Sequence, residues 1–224
     1  MAATLLPAFS PAKDGGAPID REDQKAMSSR SFLVAHPDIR YRTEGWLAYE
    51  QGRHAEAILQ FKRAASYADK PSQAMLAEMA WKGHGQAMDR PLAYAWADIS
   101  AERGYRQFVQ LREHYWSELT DEERLYAMEV GRPLWLEYSD GAAKPRLQKI
   151  LRRARFSMAG GRPNRGATVI VPGPNGVSVV IRGHDFYAEK FWNPEAYQAW
   201  TDGVWKDPPK ENVEVGAPTA VDAD

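Results

Sequence analysis

The residues best placed to do chemistry lie between Lys144 and Arg165, in the stretch "KPRLQKILRRARFSMAGGRPNR". It carries eight basic residues and no acidic one. Leu147, Ile150, Leu151 and Ala154 recur at i, i+3, i+4 and i+7, the period of one helix face, with Arg152, Arg153 and Arg155 on the other side. Such a segment can neutralise the phosphates of a nucleic acid, an anionic membrane or a cell-wall polymer. It can equally pack its apolar stripe on a core and turn its arginines to water or to upstream carboxylates. The whole chain, with 29 basic and 30 acidic residues, carries a net charge of -1, so any charge-driven binding must be local.

Other reactive side chains form no recognisable constellation. The five histidines, His36, His54, His84, His114 and His184, fall one to a segment, without H-E-x-x-H or H-x-H spacing. His184 and Asp185 together are too few to hold a metal. Glu122 and Glu123 read as compensation of a helix dipole, and Asp20 and Asp23 as part of a solvated polar arm. Cysteine is absent, which excludes a thiol nucleophile, a disulfide framework and cysteine-ligated metal. The sequence therefore predicts no catalytic residue, no metal and no cofactor. An enzyme site in the C-terminal hairpin region is a third hypothesis without a motif behind it.

The elements that must position these residues are mostly helical. Hydrophobic residues make up 44% of the chain, enough for a core. Residues 1–37 are rich in Pro, Gly, Ser and mixed charge and read as a flexible N-terminal arm. The period from about 38 to 158 is helical. In "GHGQAMDRPLAYAWADISAERGY", Asp89 ahead of Pro91 caps a helix, Leu92, Trp96 and Ile99 share one face, and Gly104 ends it. Ala93, Ala97 and Ala101 form a second stripe that lets a neighbouring helix come close. "KPSQAMLAEMAWKG" supplies the helix before it, and "YRTEGWLAYEQGRHAEAILQFKRAASYA" repeats the pair upstream. First-helix positions match at an offset of 32 (Tyr49 with Trp81) and second-helix positions at 36 (Ala57 with Ala93, Ala65 with Ala101). Beyond them, Phe108, Leu111 and Tyr115 share a face, Thr120 and Glu123 have capping-box spacing, and Gly131 with Pro133 should kink or break the helix they fall in.

On these residues the segment from Ala74 to Tyr105 resembles a Sel-one-like repeat, the longer-looped relative of the tetratricopeptide repeat. Ala77, Trp81, Gly83, Gly85, Asp89, Ala93, Ala101 and Gly104 fall on the pattern, with Trp81 and Ser100 as departures. The upstream unit, with Gly52, Ala57, Phe61, Ala64 and Ala65, is nearer the plain tetratricopeptide form. The resemblance covers about residues 40 to 116 and implies a short α-solenoid of antiparallel helix hairpins that scaffolds protein complexes. The G-x-G loop then belongs to a repeat and not to a phosphate cradle.

After residue 159 the character changes. Thr168 to Val171 and Val177 to Ile181 are β-branched runs on either side of a Pro-Gly-Pro-Asn-Gly turn, a hairpin signal. Tyr187, Phe191, Trp192, Tyr197, Trp200 and Trp205 are expected to glue this hairpin and a helix opening at Asn193-Pro194 to the helical body. Residues 159–206 thus read as an appendage and 207–224 as a disordered acidic, Pro-rich tail. The expected function is a non-enzymatic scaffold or adaptor for a protein or peptide partner, with Tyr49, Trp81 and Tyr94 as partner-binding aromatics. The alternative is anion binding through 144–165, with Arg152, Arg153 and Arg155 as the contacts. No stretch has the length and apolarity of a transmembrane helix. The default compartment is the cytoplasm, or the periplasm if the start is a truncated leader.

Overall fold

A computed structural model describes residues 19–159, 166, 168–172 and 178–206. They are mainly helical: α1 (Arg21–Ser28), α2 (Arg30–Ala35), α3 (Pro37–Glu50), α4 (His54–Ala65), α5 (Lys70–Lys82), α6 (Arg90–Ser100), a 3-10 turn (Ala101–Arg103), α7 (Arg106–Glu118), α8 (Asp121–Tyr138), α9 (Asp140–Ala159), β1 (Thr168–Pro172), β2 (Ser178–Arg182), α10 (Gly183–Phe186), α11 (Glu189–Trp192) and α12 (Pro194–Lys206). Among the described residues β1 and β2 form one two-stranded antiparallel sheet, with Ile170 opposite Val180. The turn between the strands, the Arg162 to Arg165 loop and the tail beyond 206 lie outside the described residues.

Local chemistry sets the helix ends. Asp89 accepts the Leu92 amide at 2.9 Å and starts α6, and Asp69 does the same for Ser72 at 3.1 Å in α5. Thr120 and Glu123 close a reciprocal capping box on α8. Asn193 accepts the Glu195 and Ala196 amides, each at 3.0 Å, where α12 begins.

Two cores follow. The first lies between α3 paired with α4 and α5 paired with α6, and extends to α7 and α8. Its seam is the alanine stripe: Ala57, Ala65, Ala77, Ala93 and Ala97 are fully buried, with Phe61 and Phe108 between them. Small side chains allow close helix approach, and Gly45 shows why one is needed, since a Cβ there would lie 2.7 Å from the Phe61 ring. The second core joins Phe32 of α2 to Leu151 of α9, Ile181 of β2, Phe191 of α11 and Tyr197 of α12.

The N-terminal region, α8 and the C-terminal aromatics differ from expectation. From residue 19 the N-terminal region is no loose arm: α1 and α2 bury Ala26 and Phe32 completely, while residues 1–18 lie outside the described residues. The reason is a partner that local periodicity does not reveal, the aromatic cluster near residue 191. Asp20 and Asp23 are accordingly structural: they form a capping box on α1, and Asp23 is buried against Lys190 at 2.6 Å. Nor does α8 stop at Gly131 or Pro133. Pro133 and Glu129 both stand on its exposed side, so the Glu129 carbonyl that loses its helical donor is open to water. The C-terminal aromatics also do more than glue: Phe191, Trp192 and Tyr197 are the interior of the second core, and Trp205 packs against the first.

Where the cores meet, charges are buried in pairs. The Lys70 ammonium, fully enclosed, donates to the Ile99 carbonyl at 2.9 Å and to Glu102 at 2.7 Å, and lies 3.2 Å from Asp140. Arg103 forks onto Asp140 at 2.8 and 2.9 Å, and Arg42 pairs with buried Asp69 at 2.5 Å. Burial would raise Asp140, but the Arg103 hydrogen bonds and the Arg103 and Lys70 charges outweigh it and hold the carboxyl well below its usual range.

Candidate partner-binding site

Tyr49 ends α3 and Trp81 ends α5, 32 residues apart, and both are partly buried at the rim of the first core. The Tyr49 hydroxyl lies 3.0 Å from Nδ1 of His84, and its ring meets His54 edge-on at 5.0 Å. His54 and His84 stack at 4.9 Å between centroids. Burial, then the neighbouring His54 and Lys82 charges, push His84 below its ordinary value. Burial likewise raises Tyr49, which stays a phenol.

The loop that brings His84 there depends on two glycines. Gly83 closes α5 in the left-handed region at φ 69°, and Gly85 at φ 76° passes so close to α4 that a Cβ would come within 2.7 Å of the His54 carbonyl carbon. The G-x-G loop is thus pressed onto the preceding helix hairpin, its glycines used for packing.

Trp81 lies flat on Tyr115 of α7, 4.1 Å away with planes 3° apart, and the Arg90 guanidinium sits 4.9 Å from the centroid of the Trp81 ring. Tyr94 of α6 tilts against Trp116 at 4.8 Å, and Arg124 covers Trp116 at 5.0 Å. Consecutive residues of α7, Tyr115 and Trp116, therefore bring Trp81 and Tyr94 into one aromatic and arginine band, while Tyr49 contacts the His54 and His84 pair. The band is apolar, edged with cations and partly open. Chemically it suits a partner that offers aromatic or aliphatic side chains with carboxylates beside them.

The arginines of the basic segment stand elsewhere, on the exposed side of α9. Arg152 is 3.9 Å from Glu195 and Arg155 3.8 Å from Glu189, long contacts between well-exposed groups and worth little. Leu147 and Leu151 are buried, so the apolar stripe packs as its spacing implies. Lys144 and Arg146 are used within the fold, on Asp140 at 2.7 Å and on the Glu137 carbonyl at 2.8 Å. Arg162 and Arg165 lie outside the described residues. Sequence spacing did not reveal His54, His84, Arg90 and Trp116, which contact the aromatic trio, or Arg124, which covers Trp116. The one available signal was that both histidines fall in inter-helix turns of adjacent hairpins, which the repeat alignment stacks.

Among the described residues no group of three or more His, Asp or Glu could hold a metal, and no helix is long and apolar enough to cross a membrane. The chain matches no protein-family model, no curated protein and no solved structure.

Proposed function

We propose that the chain is a non-enzymatic scaffold, a short Sel-one-like and tetratricopeptide-like solenoid that binds a protein or extended peptide on the band around Tyr49, Trp81 and Tyr94. One observation carries this reading. Two aromatics at equivalent helix ends remain partly exposed, while the alanines between the same helices are completely buried. Repeats stack through small residues and leave their larger variable side chains for partners.

The test is capture of a partner at low and high salt with wild type, Tyr49→Ala, Trp81→Ala and the triple variant Arg152→Glu, Arg153→Glu, Arg155→Glu. Circular dichroism must show each variant folded, because Trp81 also packs on Tyr115. A discrete partner whose affinity falls at least about fivefold in the aromatic variants, in line with hot-spot losses above about 1 kcal/mol, supports the scaffold. Binding indifferent to both aromatic changes rules it out.

A second reading rests on α9. Arg152, Arg153 and Arg155 are exposed, and Phe156 beside them is 84% exposed. Cations around an unburied ring suit an anionic surface with an apolar layer. Binding to anionic vesicles or heparin that falls steeply with salt and disappears in the triple variant would move the function there.

A further inference from the structure

Helix α8 has two apolar faces. The inner one packs on α6: Ala127 is buried, and a Cβ at Gly131 would lie 3.5 Å from Ala95. The outer one is open, with Leu125, Met128 and Leu136 at 72, 64 and 70% exposure and Tyr126 and Trp135 at 53 and 44% on its flanks. Scattered exposed hydrophobics are ordinary, but five on one helix make a patch.

The order of residues along that face says what covers it. About the point midway between Val130 and Gly131, Leu125 exchanges with Leu136, Tyr126 with Trp135, Met128 with Pro133, and Glu129 with Arg132. At 3.6 residues per turn, Leu125, Glu129, Arg132 and Leu136 fall within an arc of about 60°, narrow enough to face one neighbour. A helix with this arrangement is complementary to itself when antiparallel, apolar against apolar and carboxylate against guanidinium. We propose that α8 is the interface of a homodimer, two copies of the helix packing antiparallel about a two-fold axis between Val130 and Gly131.

In that pairing Leu125 meets Leu136 of the second copy, and Glu129 meets Arg132, each contact occurring twice as an isologous interface requires. The two charges alternate across the axis, so the parallel arrangement would place like beside like and is disfavoured. The Glu129 carbonyl, which Pro133 leaves without a helical donor, gains one from the five N–H groups of the same guanidinium.

Sedimentation of the full chain tests this. Wild type should be a dimer; Leu136→Glu and Glu129→Arg, both at exposed positions that leave the monomer's circular dichroism unchanged, should be monomers. The double variant Glu129→Arg, Arg132→Glu should dimerise again, because reversing both charges restores the match. The chain has no cysteine, so a Glu129→Cys variant should form an intermolecular disulfide, whereas Lys62→Cys on α4 should not. A wild type that stays monomeric up to about 100 μM, where even weak association registers, overturns the proposal. So does a dimer that survives Leu136→Glu, or a folded double swap that remains monomeric.

Discussion

His36 illustrates what burial does to a single side chain. Its ring stacks on Phe32 at 3.7 Å, meets Trp192 and Tyr197 at 5.2 and 5.0 Å, and has Nδ1 2.9 Å from the Phe32 carbonyl and Nε2 2.7 Å from the Phe191 carbonyl. Each ring nitrogen thus faces a carbonyl oxygen, and the neutral ring has one N–H to donate to one of them. Burial is the dominant cause that lowers its pKa from 6.5 to about 4, against the two carbonyls that raise it. The folded value lies below the unfolded one. The stability is therefore fully present above pH 6.5 and is lost as pH falls through 4, by about 3 kcal/mol in all. Denaturant titrations of wild type and His36→Gln at pH 7 and 4.5 should show the wild type losing more by about that amount; equal losses would refute the assignment. Residue chemistry of this kind was not legible in the sequence, because His36, like His54 and His84, gains its neighbours from distant helices. Tyr49 and Trp81 were more legible, since helix periodicity alone puts both at the same place in their hairpins.

At the scale of elements, the hairpins α3–α4 and α5–α6 could be read directly, because caps, glycines and alanine spacing all act within a few residues. Gly85 gives the sharpest test. Alanine there must adopt a left-handed conformation and displace the backbone at His54. Gly85→Ala should lower stability by about 1 to 3 kcal/mol, visible as a reduced melting temperature and faster amide exchange at the start of α4. Gly52→Ala, left-handed at φ 73° but with open space around it, should cost less. Elements that depend on distant partners were the ones misread. "REDQKAMSSRSFLVA" is polar and broken by a cap at Ser29, and contacts with α9, the two strands, α10 and α11 make helices α1 and α2 worth folding. At Pro133 the helix does not break, and the Glu129 carbonyl that loses its donor is exposed to water.

At the scale of the molecule, the charges around Lys70 tie α5, the 3-10 turn and α9 together. Burial lowers Lys70, while Asp140 and Glu102 counter that shift. Lys70→Met would leave those two carboxylates with less positive charge beside them, at a cost of about 3 kcal/mol. Equilibrium unfolding of the variant measures it, and a change below about 1 kcal/mol would show that Arg103 and Lys144 compensate. None of this network was foreseeable: lysine and aspartate on amphipathic helices read as solvated until the packing of α5, the 3-10 turn and α9 encloses them. The second core adds a consequence for how the chain is made. The His36 ring waits for a carbonyl 155 residues further along. At translation rates of about 5 to 20 residues per second, Phe32 and its neighbours leave the ribosome roughly 8 to 30 seconds before Phe191 and Trp192 exist to complete their cover. The core around the N-terminal helices thus stays incomplete for that interval, and its rings are open to whatever else in the cell binds exposed aromatic residues.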